Sequence, residues 1–100
     1  MLPQQLAQAL EEGAVLIDVR EPQEQAKGMI PGALALPLGQ LRSRLNEIPR
    51  NRPVVVYCQS GQRSYFAARL LMQHGHDVYN LSGAYKTWLS SQPTPSMPPP

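Results

Sequence analysis

Apolar positions along this chain switch several times between helical spacing and short continuous runs, and each switch falls at a proline or a glycine. From Pro3 to Glu12, Leu6, Ala7 and Leu10 recur at helical intervals, and Gly13 supplies a stop. Val15 to Val19 reads as a first strand. Glu21-Pro22 opens a short helix with proline near its first position and acids in its first turn, ending around Gly28. Pro31-Gly32 marks a turn before a strand from Ala33 to Leu36. Leu38, Leu41, Leu45 and Ile48 form one helical face, with Pro49 as the stop. The β-branched run from Pro53 to Tyr57 predicts a buried strand reaching Cys58. A helix from Ser64 to about His74 follows, closed by Gly75. Val78 to Leu81 is the last strand and Ala84 to Leu89 the last helix. From Gln92 onward the run of prolines predicts a mobile polyproline-like tail.

Strands alternating with helices indicate an α/β domain with a mainly parallel sheet covered on both faces. One hundred residues hold one such domain, residues 1–91, followed by the proline-rich stretch 92–100. A formal charge of +2 is weak, and Arg42, Arg44, Arg50 and Arg52 lack the interleaved aromatics of a nucleic-acid surface, so they read as a solvated basic face. No stretch approaches a membrane span, and the first residues carry neither a basic n-region nor an apolar h-region. The expectation is a cytoplasmic protein that binds neither nucleic acid nor membrane. His74 and His76 have no cysteine or carboxylate cluster beside them in sequence, so no metal is expected; His74 reads as complementing a helix C-terminus. Trp88, Leu89 and Tyr85 read as packing of the last helix.

The single cysteine changes the picture. Cys58 ends a strand and precedes the polar segment Gln59-Ser60-Gly61-Gln62-Arg63-Ser64, which leads into a helix. A thiol there meets unpaired backbone N–H groups, which favour the reactive thiolate. The bland alternative is a small buried hydrophobe, a frequent fate of cysteine. Asp18 reads as capping the turn after the first strand and Arg20 as pairing with Glu24. The alternative is that Arg20 reaches the rim of a site beyond the carboxyl ends of the strands, so Asp18 and Arg20 are candidate supporting residues.

Three segments in order carry a resemblance. Leu16-Ile17-Asp18-Val19-Arg20-Glu21-Pro22 with Glu24 and Gly28-Met29-Ile30-Pro31-Gly32-Ala33 forms the first, Cys58 to Ser64 the second, and Leu81-Ser82-Gly83-Ala84 with Trp88 the third. Together they resemble the rhodanese domain family, in its single-domain sulfurtransferase form, over residues 2 to 89. The chain departs from that pattern at Met29, where histidine is common, and at Ala84, where a second glycine is common; local repacking is expected at both. The resemblance implies a rhodanese-like three-layer fold with a central parallel sheet of about five strands. It also implies a catalytic Cys58 that carries sulfane sulfur as a persulfide. The donor would be small (thiosulfate, a polysulfide or a persulfide), the acceptor a thiol, cyanide or a partner protein, and no cofactor is needed.

The segment itself suggests how such chemistry would work. Gly61 permits positive φ, letting successive amides converge on an anion. Ser60 and Ser64 can donate hydroxyls, Gln59 and Gln62 would face the entrance, and Arg63 would be the charged member of the cradle. A helix dipole is worth about 0.3–1 kcal/mol, against about 2.7–4 kcal/mol for one preorganised donor, so the amides should dominate. Only four residues separate Cys58 from Arg63. Rhodanese-like phosphatases carry one more, so the smaller ring suits a single sulfur rather than a phosphate. With no second cysteine, the sulfur must pass to an external acceptor. The competing reading is a rhodanese-like binding, carrier or sensor module without turnover. A sulfur packed away from solvent, with the neighbouring peptide groups aimed elsewhere, would remove the basis for the activity.

Overall fold

The computed structural model describes residues 1–59, 62–81 and 84–91. The helices are α1 (Pro3–Glu11), α2 (Pro22–Gln25), α3 (Leu38–Leu41), α4 (Gln62–Gln73) and α5 (Ala84–Ser91); the strands are β1 (Val15–Asp18), β2 (Leu34–Ala35), β3 (Val54–Tyr57) and β4 (Val78–Asn80). Among the described residues the strands form one sheet in the order β2-β1-β3-β4, and every pairing is parallel. That is the α/β architecture expected, with four strands for the anticipated five or so.

Strand periodicity divides the core into two layers. Along β3, Val54 and Val56, with Cys58 just beyond, face a cluster that includes Leu41 of α3 and Ala67, Ala68 and Leu71 of α4. Val55 and Tyr57 face the opposite cluster, with Leu6 of α1 and the partly buried Tyr85 and Trp88 of α5. All four β3 residues are buried, which is why the run carries no alternating polarity.

Local chemistry sets the boundaries. α2 starts at Pro22 because the Glu24 side chain accepts the Glu21 N–H at 3.0 Å, half of a capping box. α4 stops at Gln73, two residues before Gly75, whose φ of +87° a side chain would resist; the His74 ring meets the Leu70 carbonyl at 2.9 Å, as a residue complementing a helix end should.

Two expectations are corrected. The helix anticipated from Leu38 to Ile48 is broken: α3 has one turn, and Arg42–Glu47 continues as a 3-10 segment with Arg44 off the helical conformation. The leucine face survives, because Leu41 and Ile48 are buried while Leu38 and Leu45 pack against them. α4 begins at Gln62 rather than near Ser64, which puts Arg63 and Ser64 inside its first turn. The anticipated tail falls on residues 92–100, outside the described residues.

Candidate functional site

The strand order fixes where a site belongs. From β1 the chain crosses to β2 on one side, while β3 leads to β4 on the other, so the connections leaving β1 and β3 diverge between them. In open parallel sheets ligands bind at such a switch point, beyond the carboxyl ends of the strands. Asp18 and Arg20 leave β1 there, and Cys58 leaves β3 beside them, since Asp18 is in register with Tyr57.

Cys58 is pinned through its backbone and its side chain. Its carbonyl accepts the Tyr85 N–H at 2.9 Å, and the Gln59 carbonyl accepts that of Lys86 at 3.4 Å, so the first turn of α5 holds the strand's exit. The Sγ atom lies 3.5 Å from Ser64 Oγ, and that hydroxyl donates to Asn80 Oδ1 at 2.8 Å. Both Cys58 and Ser64 are 0% exposed. The thiol is thus buried rather than open to solvent. Ser60, expected to donate a hydroxyl, and Gly61, expected to let successive amides converge, lie outside the described residues.

Arg20 and Asp18 form a buried pair, 2% and 0% exposed. Arg20 Nη2 donates to Asp18 Oδ2 at 2.9 Å, and its Nε contacts both carboxylate oxygens at 3.2 and 3.1 Å. Asp18 Oδ1 also accepts the Arg20 N–H at 2.9 Å, the turn cap expected of it. The same guanidinium donates to Gln59 Oε1 at 3.1 Å and to the Gly28 carbonyl, and its Cζ lies 4.0 Å from the Tyr85 ring centroid. Burial is the largest single influence and works against the charge of Arg20, but hydrogen bonding and attraction to Asp18, with smaller contributions from Tyr57 and Tyr85, together raise the pKa above its ordinary value. Arg20 therefore joins the rim and the scaffold at once, and it does not pair with Glu24 as expected.

Glu24 instead meets Arg63. Two N–H groups of the guanidinium address the two carboxylate oxygens, the Nη2–Oε2 contact measuring 2.9 Å. Hydrogen bonding from Arg63 holds the Glu24 carboxyl down at about 2, and Cys58 is within electrostatic reach of Arg63. Arg63 is thus a paired cation at the rim of the cradle. Gln62 is exposed and Gln59 half-buried, but Gln59 is held by Arg20 instead of being left to meet substrate.

Four contributors went unnoticed in the sequence: Asn80, Tyr85 and Gly28 as partners, and Glu24 as the counterion of Arg63. A signal existed for Asn80, a polar residue ending an otherwise apolar strand at the same end of the sheet as Cys58. Tyr85 and Gly28 had none, because their roles arise from long-range packing.

A family model for the rhodanese-like domain matches residues 2–91. A sulfurtransferase from Allochromatium vinosum is 49% identical over 88 residues, covering 87% of this chain and 80% of that protein. The thiosulfate sulfurtransferase GlpE of Pseudomonas syringae is 37% identical over 94 residues, covering 92% of this chain and 89% of its own length. Among solved structures, the human single-domain sulfurtransferase TSTD1 superposes with a TM-score of 0.81 at 32% identity, over 93% of this chain and 96% of that one.

Proposed function

The chain belongs to the rhodanese-like domain family, and from that premise we propose that it is a sulfurtransferase in which Cys58 carries sulfane sulfur as a persulfide. The observation that carries the reading is the seat of the sulfur: the switch point between β1 and β3, against a buried hydroxyl in the first turn of α4. The relatives' names support sulfur transfer and, for GlpE, thiosulfate as a donor.

In the first half-reaction the Cys58 thiolate attacks the outer sulfur of thiosulfate. An S–S bond forms, the bond to the sulfonate sulfur breaks, and sulfite leaves with the electron pair. In the second, a nucleophile such as cyanide or a thiolate takes the outer sulfur and returns Cys58 as thiolate. The amides of residues 59 to 62 and the Ser64 hydroxyl stabilise the anion at each stage. Asp18 and Arg20 hold Gln59 at the entrance without touching the reacting atoms.

Intact-mass spectrometry after incubation with thiosulfate tests this. The expected product carries one added sulfur, is absent from Cys58→Ser, and reverts with cyanide while thiocyanate accumulates over many turnovers. An unloaded protein rejects the reading, and loading without turnover favours a carrier or sensor.

A further inference from the structure

We propose that Glu24 sets the donor specificity of the Cys58 site. By holding Arg63 it keeps the site close to electrical balance, which shifts preference from the thiosulfate dianion toward singly charged sulfane donors such as the persulfide of a small thiol. The inference rests on the reading of Cys58 as the sulfur-carrying residue and names the substrate class of that same site.

Two guanidiniums stand near the sulfur, and each is already claimed by a carboxylate. Arg20 is 2% exposed and directs its N–H groups at Asp18, Gln59 Oε1 and the Gly28 carbonyl. Arg63, in the first turn of α4 beside Ser64, addresses both oxygens of Glu24, with Nη2 2.9 Å from Oε2. Glu24 is itself fixed: it is the third residue of α2, and its Oε1 also accepts the Glu21 N–H at 3.0 Å. The countercharge is therefore in place before any substrate arrives. Arg63 turns fully to a substrate only by giving up two charge-assisted hydrogen bonds. The Glu24 carboxyl, held down at about 2, stays ionised throughout the neutral range. Glu21, Lys27 and Lys86 are exposed, so water and salt screen them.

Coulomb energy scales with the charge of the incoming ion. A bare arginine would help a dianion twice as much, in free energy, as a monoanion of the same shape, and a compensated arginine removes most of that advantage. The N–H groups of Arg63 that Glu24 does not take remain to orient either kind of substrate.

Methanethiosulfonate separates charge from shape, because it is thiosulfate with one oxygen replaced by a methyl group and carries one negative charge instead of two. With either compound the Cys58 thiolate attacks the outer sulfur and an S–S bond forms. The bond to the sulfonyl sulfur breaks, and sulfite or methanesulfinate leaves with the electron pair. The second-order rate of sulfur loading, followed by intact mass at constant pH, gives a ratio of thiosulfate to methanethiosulfonate. A change in the nucleophilicity of Cys58 affects both rates and cancels from this ratio. Glu24→Gln should raise the ratio about two- to fivefold at low ionic strength, and about 1 M salt should return it to the wild-type value. Glu24→Asp, which keeps the charge on a shorter arm, should leave it unchanged. A ratio that Glu24→Gln does not raise, or that both variants move alike, overturns the proposal, since a carboxylate acting only as scaffold affects the two compounds equally. If neither compound adds sulfur to Cys58, the sulfurtransferase reading falls. If both do and the ratio stays put, only the donor preference falls.

Discussion

Glu24 and Arg63 meet in a two-point ion pair that ties α2 to the first turn of α4. The pair keeps a positive charge near Cys58 from acting alone. Glu24→Gln leaves that charge uncompensated, which favours the thiolate and the approach of a dianionic donor. Alkylation of Cys58 near neutral pH should speed up by about two- to fivefold, and the KM for thiosulfate should fall with added dependence on salt. Slower alkylation in the variant would mean that the pair acts by placing α4 rather than by its charge.

The same pair sets a pH dependence. Glu24 titrates at about 2 in the folded chain against an ordinary 4.5, so the unfolded chain binds the proton first. Its contribution is complete above 4.5 and disappears as pH falls through about 2. Both side chains are about 30% exposed, so the contribution should not exceed about 1 kcal/mol. Urea denaturation of wild type and Glu24→Gln should differ by that much at pH 6 and converge near pH 2.

Arg20 carries more weight. Arg20→Met strips the buried Asp18 carboxylate of its cation and releases Gln59 and the Gly28 carbonyl. Breaking a buried pair from one side costs about 3–5 kcal/mol, and chemical denaturation should report a loss of that order. Arg20→Lys should recover only part of it, because an ammonium cannot reproduce the planar fork or the stack on Tyr85.

His76 lies at the other end of the sheet, just before β4. It is 6% exposed, and neither ring nitrogen has a hydrogen-bond partner. Burial, with Arg50 and then His74 adding repulsion, lowers its pKa from 6.5. The folded state holds the ring neutral, so stability is complete above 6.5 and falls as acid protonates the unfolded chain. His76→Leu should raise stability by about 1 kcal/mol at pH 7 and flatten the stability–pH profile between pH 7 and 5. An unchanged profile would show that this ring does not titrate on unfolding.

Gly28 combines two constraints. Its φ is +135°, and an added Cβ would stand 3.1 Å from the Tyr85 hydroxyl. Gly28→Ala should cost about 1–3 kcal/mol and displace the carbonyl that receives Arg20. A thermal melt detects the first effect, and weaker protection of the Arg20 side chain in hydrogen exchange detects the second.

Most of the fold was legible because its signals are local. Val54-Val55-Val56-Tyr57 has too few polar atoms to sit anywhere but a covered strand, and the glycine and proline punctuation marked the connections. The Leu38–Ile48 segment misled because leucine spacing reports which side is buried, not whether the backbone keeps one helix. The position of Cys58 was legible from the strand-to-helix junction. Its partners were less so: Glu24 stood near Arg20 in sequence but is folded against Arg63, and no periodicity conveys such a choice between two cations. Asn80 was hidden because a polar residue at a strand end is common and gains meaning only when a hydroxyl is brought to it.

The hydrogen bond from Tyr85 to the carbonyl of Cys58 has a consequence for biosynthesis. Cys58 is made well before the helix that clamps it, and the ring beneath Arg20 arrives in the same late stretch. A ribosome-bound chain halted short of residue 84 therefore holds Cys58 without this support, and the clamp on its carbonyl forms only once the closing helix is made.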